Sequence, residues 1–457
     1  MTLFPQYLYI VAAALFVLSL KWMSEVKTSR RGNWAAISGM VLAIAATFLA
    51  YPVQHVPLLI AAAVVGTLIG IPIAMKLPMT AVPQRTAMSH AFGSLAVALI
   101  GVAEYHQRAP NVDPFTMSVL ASEMILGFLT FTGSCVAFAK LQELIPGKPF
   151  VYKGRHLVNL GTLAAAVVCA VLLVLHPGRE LLVPALAGFA LLFGFLLVMA
   201  IGGADMPTVI AILNSYAGLS AAGLGFVLNS KILVVAGTLD GSSGLILALV
   251  MSQAMNRSFL NVMFGGVGAA PSGAKGQVET RSVRSYLPED VAAVLDGARL
   301  VVVVPGYGMA VAQAQHAVKE FADLIEAKGG KVVYAIHPVA GRMPGHMNVL
   351  LAEANVPYDR LLEMDEANPV FPEADMAIVV GANDVVNPAA RTQADSPLYG
   401  MPILDVDKAR SAVFIKRSMN PGFAGVGNEL FYLPNTMMVF GDAKKVMTEL
   451  AAAVKKN

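Results

Sequence analysis

Nine runs of about 20 apolar residues fill the first part of the chain and limit what that part can fold into. A helix of this length crosses the ~30 Å hydrocarbon layer of a bilayer. No water is present there to pair an open backbone group, so helix is the predicted structure of every run. The predicted spans are residues 4–22, 34–51, 57–75, 86–104, 118–138, 158–176, 182–202, 207–228 and 231–252.

Charged residues divide the chain into two parts of different character. Of its 61 charged residues, 22 lie in the first 260 positions and 39 in the last 197. We therefore expect a lipid-embedded helical domain at residues 1–262, a Gly- and Ser-rich linker at 263–290 and a soluble domain at 291–457. The net charge of +3 is too balanced to indicate a nucleic-acid partner. Cys135 and Cys169 lack the spacing of metal ligands, so no metal site is predicted.

Basic residues in the predicted loops orient the helices in the membrane. If the loop after the first span is cytoplasmic, eleven loop cations lie on that side and three on the other. Cytoplasmic loops carry an excess of Lys and Arg, so this assignment places the N-terminus outside and the soluble domain in the cytoplasm. No basic segment precedes residues 4–20, which indicates an uncleaved span and not a signal peptide.

The soluble part alternates short β-branched runs with helical patterns. Strands are predicted at Leu300–Val304, Lys331–Ile336, Met376–Val380, Pro402–Asp405 and Val413–Lys416, and a helix at Val311–Ala327. Such alternation is typical of a doubly wound parallel sheet. The predicted fold is thus a membrane α-helical bundle followed by an α/β domain of the Rossmann type.

Two glycines follow the first predicted strand and precede a helical pattern. Gly306 and Gly308 permit a tight turn and a close approach of the backbone to a pyrophosphate. The start of the following helix offers free N–H groups to the phosphates. Val311 stands where the third glycine of this pattern is usual, and a glycine turn without a ligand is the alternative.

The type of nucleotide is indicated by charge at the ends of two strands. The second predicted strand ends at Ile336 without the carboxylate that often holds the ribose of NAD. Lys416, Arg417 and Ser418 follow a later strand and suit a 2′-phosphate, so NADP is predicted over NAD. Ordinary surface cations are the alternative. Glycine-containing segments at 341–345, 381–387 and 422–426 also follow predicted strands.

Asp384 lies in the second of these segments. A carboxylate close to a bound nucleotide can change its protonation with the state of the ligand. The alternative is an N-cap for a helix at Val385–Ala390, and spacing alone favours the cap.

Several polar residues lie within or beside the predicted spans, where they are costly and often functional. His90 suits a proton relay, with a structural role as the alternative. For Ser134 and Asn214, hydrogen bonding between helices is the favoured interpretation from the residues alone. Asp205 ends the seventh span. Glu123 and Asp240 are intramembrane carboxylates that could pair with a neighbouring helix.

The sequence resembles the β subunit of proton-translocating nicotinamide nucleotide transhydrogenase over essentially its whole length. The matching motifs are GGADMP at 202–207, LNSY at 213–216, GSSG at 241–244, AMNRSF at 254–259, VPGYGM at 304–309, HPVAGRMPGHMNVLL at 337–351, GANDVVNP at 381–388, KRSM at 416–419 and FGDAK at 440–444.

This resemblance implies a proton-conducting membrane domain and a cytoplasmic domain that binds NADP(H). It further implies NAD(H) on a partner α subunit, hydride transfer between the two nicotinamides, and inward proton flow that drives reduction of NADP⁺ by NADH. One dinucleotide domain holds one nicotinamide, so this chain is expected to need its partner. The expected assembly is a dimer of αβ units in the inner (cytoplasmic) membrane of a bacterium.

The resemblance also assigns roles to individual positions. His90, Ser134 and Asn214 match the proton path, and Asp384 matches a carboxylate that couples protonation to NADP(H) release. The expected coupling residues are Asp384, His90, Ser134, Asn214 and Asp205. The expected nucleotide contacts are Gly306, Tyr307, Gly308, Val311, Val339, Ala340, Gly341, Arg342, Met343, Pro344, Gly381, Ala382, Asn383, Asp384, Val385, Lys416, Arg417, Ser418, Met419, Asn420, Pro421, Gly422, Phe423, Asp442 and Ala443.

Two positions depart from the family pattern. Phe423 stands where a tyrosine is common, and Asp240 stands where many relatives have an apolar residue. Two other classes of protein remain open on the residues alone. One is a redox-sensing ion channel or transporter with a cytoplasmic dinucleotide domain, although no TVGYG filter motif is present in the sequence. The other is a membrane-anchored dehydrogenase without a proton path.

Overall fold

The chain forms two compact units, Met1–Leu249 with Met263–Gly265, and Val250–Val262 with Gly266–Asn457. The structure is a computed structural model that describes residues 3–24, 28–77, 81–147, 149–202, 205–255, 258–263, 283–343, 345–396, 398–422 and 424–456. Most of the predicted linker at 263–290 lies outside these residues, so its boundaries stay predictions.

Within the described residues, nine helices are long and apolar enough to cross a membrane. They are α1 (Leu3–Met23), α2 (Ser29–Ala50), α3 (Val56–Lys76), α4 (Val82–Arg108), α5 (Pro114–Leu141), α6 (Arg155–Leu175), α7 (Leu182–Met199), α8 (Met206–Val227) and α9 (Lys231–Ala254). This confirms the nine predicted spans. The observed ends differ from the predicted ones by up to five residues, because the helices continue beyond their apolar runs into polar residues such as Gln84 and Arg85.

Helix α5 is the most buried of the nine and packs against α4, α6, α7 and α8. Helices α8 and α9 meet through glycines. A Cβ added at Gly218 would lie 2.7 Å from the Gly241 Cα, and one at Gly237 would lie 2.5 Å from the Ala222 N. Only glycine allows the two backbones to approach so closely.

The second unit contains six parallel strands with helices between them. The strands are β1 (Leu300–Pro305), β2 (Lys331–Ile336), β3 (Leu361–Glu363), β4 (Met376–Val380), β5 (Ala412–Lys416) and β6 (Thr436–Phe440). The remaining helices are α10 (Phe259–Met263), α11 (Pro288–Val294), α12 (Tyr307–Ala312), α13 (Gln315–Ala327), α14 (His346–Glu353), α15 (Met364–Ala367), α16 (Ala389–Thr392) and α17 (Ala443–Lys456).

The strand order is β3-β2-β1-β4-β5-β6, and every pairing is parallel. The chain leaves β1 toward β2 and β3 and then returns to the other side of β1 with β4, so the order reverses between β1 and β4. Residues Val301–Val304 and Met376–Val380 are almost fully buried, as expected for strands covered on both faces. The predicted doubly wound fold is confirmed.

Three local predictions are wrong. Pro402–Asp405 is buried from Ile403 onward but is not a strand, because side chains take its backbone groups: His337 contacts the Pro402 carbonyl, and Asn368 bonds Ile403 and Asp405. The predicted helix at 311–327 is two helices, with Gln313 in the left-handed region between them. Strands β3 and β6 were not predicted, since β3 has only three residues and β6 contains two methionines, which are weak strand formers.

The loops after β1 and β4 touch backbone to backbone. Gly381 has a φ of +68°, and a Cβ there would lie 2.7 Å from the Met309 N. A Cβ at Gly308 would lie 2.6 Å from the Gly381 Cα. Glycine is therefore required at 381 for both its conformation and its contact.

We predict that Gly381→Ala lowers the free energy of unfolding of the isolated segment 283–457 by about 2–4 kcal/mol. The left-handed conformation costs about 1–2 kcal/mol and the steric conflict the rest. Urea unfolding followed by far-UV circular dichroism measures this. The control is Gly297→Ala, where φ is +76° and no atom lies within 4 Å of the added Cβ. Equal losses in the two variants would show that the contact with Gly308 contributes nothing.

Candidate functional site

The carboxyl ends of the parallel strands bring five loops to one edge of the sheet. In doubly wound folds, ligands bind at this edge where the strand order reverses. Here the reversal lies between β1 and β4, with the loops after β2 and β5 on either side. Nearly all of the nucleotide contacts expected from the sequence lie in or beside these loops, and Lys416 is the last residue of β5.

At the reversal point, the glycine amides are already hydrogen-bonded. The Gly306 N–H donates to the Val380 carbonyl and the Gly308 N–H donates to the Gly381 carbonyl, both at 2.9 Å. The two glycines therefore hold the β1 and β4 loops together. The backbone at the two glycines could still lie close to a pyrophosphate, as predicted. The hydrogen bonds to the phosphates would then have to come from other N–H groups at this edge of the sheet.

Two buried histidines fix the loop after β2. His337 Nδ1 accepts the Val339 N–H at 3.2 Å, and its Nε2 lies 2.8 Å from the Pro402 carbonyl. His346 Nδ1 accepts the Arg342 N–H at 2.9 Å. Each imidazole is about 1% exposed. An unprotonated Nδ1 is required in both cases, so both rings are neutral in this loop.

Burial lowers the pKa of His337 to about 4, with the Pro402 hydrogen bond opposing it. Burial likewise lowers the pKa of His346 to about 4, and the charge of Arg342 adds to the effect. His346 Nε2 is buried and has no hydrogen-bond partner among the described residues. The Arg342 guanidinium lies 4.6 Å above the Tyr307 ring and so connects the β2 and β1 loops.

Asp384 connects the loops after β4 and β5. Its Oδ2 accepts the Ala424 N–H at 2.8 Å, and its Oδ1 accepts from Asn383 Nδ2 at 2.8 Å. The favoured interpretation from spacing, a helix cap, is wrong. The residues after Asp384 form a single 3-10 turn, Asp384–Val386, and the carboxylate binds a backbone group forty residues away. Tertiary contact, not local helix geometry, sets its position.

Lys416 joins the same pair of loops. Its Nζ donates to Asn383 Oδ1 at 3.0 Å and to the Asn420 carbonyl at 3.1 Å, and it lies 4.5 Å from the centre of the Phe431 ring. Burial lowers the pKa of Lys416 to about 8, and the negative charge of Asp384 partly offsets this. The ammonium is thus still charged at neutral pH.

Two buried asparagines complete the connection. Asn387 Nδ2 donates to the Gly427 carbonyl at 3.0 Å, and Asn428 Nδ2 donates to the Asn383 carbonyl at 3.2 Å. Both side chains are at most 2% exposed. A buried amide that lost its partner would cost about 1–3 kcal/mol, so these bonds fix the two loops against each other.

Arg417 and Ser418 are exposed at the end of β5. Arg417 Nη2 lies 3.3 Å from Asp442 Oδ2, and Asp442 Oδ1 accepts the N–H groups of Lys444 and Lys445 at the start of α17. An exposed ion pair of this length is weak. The guanidinium is therefore available to a stronger anion such as a phosphate, which suits the residues of this edge to a phosphorylated nucleotide.

Other residues expected to contact the nucleotide lie farther from the point between β1 and β4 where the strand order reverses. Val311 is 47% exposed on α12, and Ala443 is buried in the first turn of α17. The loops after β2 and β5 lie three strands apart, about 14 Å, so their residues are not brought into mutual contact. Pro344 and Phe423 lie outside the described residues.

The membrane residues named from the sequence lie on α4, α5 and α8. Ser134 is fully buried, and its Oγ has no hydrogen-bond partner among the described residues. The same holds for the Nδ1 atom of His90, although the residue is only partly buried. Asn214 bonds Asp240 on α9 at 3.2 Å. Asp205 occupies the N-cap position of α8 and is 9% exposed.

Comparison with known proteins decides the family. A family model described as the NAD(P) transhydrogenase beta subunit matches residues 5–453. The chain belongs to this family. Two relatives from Rhodospirillum rubrum, one from a specified strain, are both named NAD(P) transhydrogenase subunit beta. Each is 48% identical to this chain over 458 residues, with 98% of both chains covered. The resemblance noted from the motifs is confirmed, and the family is one of oxidoreductases that act on nicotinamide nucleotides.

Sequence reasoning gave no role to four residues that shape this edge. His337 and His346 lie in a matching motif, but only the structure shows that they hold the loop. Asn387 and Asn428 bind loops far from them in sequence, and no local pattern predicts those partners. Both asparagines also have a local contact: the Asn387 Oδ1 accepts the Ala389 N–H, and the Asn428 Oδ1 accepts the Leu430 N–H, each at 3.0 Å.

We predict that segment 283–457 loses stability as the pH falls from 6.5 toward 4. The unfolded histidines take up protons below about pH 6.5. In the folded state, His337 and His346 resist protonation to about pH 4. The unfolded state thus binds more protons in this window, and the loss amounts to at most about 3 kcal/mol for each histidine. Urea unfolding at several pH values measures it.

Substituting both residues as His337→Asn and His346→Asn keeps an acceptor near each Nδ1 position and should flatten this dependence. His316→Asn is the control, because His316 is exposed on α13. The assignment to the buried pair is wrong if the double variant and the control show the same slope.

Proposed function

We propose that this chain is the NADP(H)-binding, proton-translocating subunit of a transhydrogenase. In this proposal hydride passes from NADH on an α subunit to NADP⁺ on this chain, coupled to inward proton movement. The observation that carries it is the carboxyl edge of the doubly wound sheet in the described residues, with Lys416 as the last residue of β5 and Arg417 directly after it. One such sheet gives one dinucleotide site, so the second nicotinamide has to come from a partner.

The arrangement in the membrane belongs to the same proposal. Residues 1–262 form the membrane domain, 263–290 the linker and 291–457 the nucleotide domain. The N-terminus lies outside the inner membrane of a bacterium and the nucleotide domain lies in the cytoplasm. The assembly is a dimer of αβ units. The excess of basic residues in alternate loops supports this orientation.

NADP(H) would supply the nicotinamide carbon that accepts or gives the hydride. Arg417 and Ser418 bind the 2′-phosphate, and Lys416 holds the β5 loop in place through Asn383 and Asn420. Arg342 and Tyr307 form one wall of the crevice through their stacked contact. The other expected contacts in the loops after β1, β2, β4, β5 and β6 complete the site.

Asp384 supplies the coupling in this proposal. Its ionised carboxylate accepts the Ala424 N–H, so protonation of that oxygen would remove the acceptor that holds Ala424. A Cβ at Gly422 would lie 2.6 Å from Asn383 Nδ2, which shows how closely this loop packs on the Asn383–Asp384 pair. Protonation therefore changes the loop that covers the nucleotide, and by linkage the nucleotide changes the proton affinity by the same factor.

Protons reach the cytoplasmic side through His90, Ser134, Asn214 and Asp205. Buried polar atoms without protein partners support this part of the proposal. The Ser134 Oγ, the Thr130 Oγ1 and the His90 Nδ1 are all of this kind within the described residues. Such groups bind water when there is room for it, and hydrogen-bonded water carries protons.

We predict that Arg417→Ala weakens binding of NADPH to segment 283–457 by roughly ten- to a hundredfold. One charge-assisted contact to a phosphate contributes about 1.5–3 kcal/mol. Binding of NADH, which has no 2′-phosphate, should change little. Calorimetric titration with both nucleotides measures the difference. The control is Arg410→Ala, because Arg410 is an exposed arginine paired with Asp375, beside the start of β4 at the opposite edge. An equal loss for NADH and NADPH would refute the 2′-phosphate assignment.

The whole proposal is tested in sealed vesicles that contain this chain and its α partner, with a pH-sensitive dye inside. Reduction of NADP⁺ by NADH should be accompanied by proton movement. His90→Ala should abolish that movement, because the relay loses its titratable group. Hydride exchange between nucleotides already bound should persist.

His106→Ala is the matched control, since His106 is an exposed histidine on the same helix α4. It should leave proton movement unchanged. Full proton movement in the His90 variant would exclude His90 as a relay. Hydride transfer without any proton movement in the unaltered protein would exclude the coupling itself.

A further inference from the structure

We propose that Asp240 on α9 is a positioning residue of the proton path, which holds the Asn214 amide and places a negative charge facing His90. This inference rests on the proposed proton translocation. From the sequence, Asp240 was expected at most to pair with a neighbouring helix, and it stands where many relatives are expected to have an apolar residue. The structure joins it to two expected members of the path.

The contact with α8 is direct. Asn214 Nδ2 donates to Asp240 Oδ1 at 3.2 Å and lies 3.4 Å from the Asp240 carbonyl. Gly244 makes room for this amide, because a Cβ there would lie 2.9 Å from Asn214 Nδ2. The amide is thus enclosed by α9 and turned toward the carboxylate. Ser243 Oγ also donates to the Asp240 carbonyl at 2.9 Å and stiffens this turn of α9.

The contact with α4 is electrostatic. Asp240 and His90 lie close enough for a carboxylate and an imidazolium to attract each other. Glu123 on α5 is a second intramembrane carboxylate, but it packs against Gly101. Gly101 lies eleven residues farther along α4 than His90, or about 16 Å at 1.5 Å per residue.

The surroundings of Asp240 mean that its ionised form requires a compensating cation or water. The residue is exposed on α9, a helix apolar enough to span a membrane. An ionised carboxylate in contact with lipid is costly unless a cation or water compensates it. His90, when it carries the proton, is the cation within electrostatic range of Asp240.

In the proposed step, a proton binds a ring nitrogen of His90 and forms an N–H bond, while Asp240 stays ionised. The carboxylate stabilises the imidazolium until the same proton leaves to the next acceptor. No other bond forms or breaks, and no redox change occurs. Because Asn214 is held by Asp240, its amide keeps one orientation through both states of His90.

The test compares Asp240→Asn with Asp240→Glu in the vesicle assay, using the full chain and its α partner. Asparagine keeps the size and an acceptor for Asn214 but removes the charge. We expect proton movement per hydride to fall about tenfold or more, because the charge that stabilises the protonated His90 is lost. Glutamate restores the charge and should recover most of the movement. Hydride exchange between bound nucleotides should stay unchanged in both variants and reports on folding and assembly.

Thr238→Val is the matched control, an exposed polar residue on the same helix. If Asp240→Asn assembles poorly, Asp240→Ser provides the same loss of charge in a smaller side chain. Normal proton movement in the Asn or Ser variant overturns the inference, and so does failure of glutamate to rescue. Absence of proton movement in the unaltered protein would instead refute the proposed function, so the two failures are distinguishable.

Discussion

The need to pair every buried backbone N–H and C=O governs both units of this chain. In the first unit the pairing is made within each helix, because lipid supplies no alternative partner. In the second it is made along a parallel ladder of six strands. Where the ladder ends, side chains take over: His337, Asn368, Asn387 and Asn428 bind the backbone of loops distant in sequence. The candidate nucleotide site is built from the loops that these four side chains hold.

Glycine serves the same physical purpose in both units, although its setting differs. Gly218 and Gly241 let α8 and α9 approach without a side chain between them. Gly308 and Gly381 do the same for the loops after β1 and β4. In each case a pair of polar side chains lies beside the close contact. Asn214 and Asp240 meet next to Gly244, and Asn383 and Asp384 lie two and three residues after Gly381.

Polar groups are arranged differently in the two units. At the sheet edge nearly every buried polar atom of the described residues has a protein partner, so the loops are held in one arrangement. In the membrane unit several buried polar atoms have no protein partner within the described residues, among them the Ser134 Oγ and both Glu123 carboxylate oxygens. The first arrangement suits recognition of a ligand, and the second suits transient binding of water and protons.

The sequence by itself determined the nine spans, the parallel sheet and the family, because these depend on apolar period, strand composition and long motifs. It also located the edge of the sheet that carries Lys416 and Arg417, since loops after parallel strands must meet there. It was wrong about Asp384 as a cap and about 402–405 as a strand, because the partners of those backbone and carboxylate groups lie up to 65 residues away. Only the tertiary structure decided that Gly306 and Gly308 bind another loop, and that Asp240 faces His90 and Asn214. Side chains on different helices or loops are brought together by tertiary packing, and no local sequence pattern predicts which of them will be in contact.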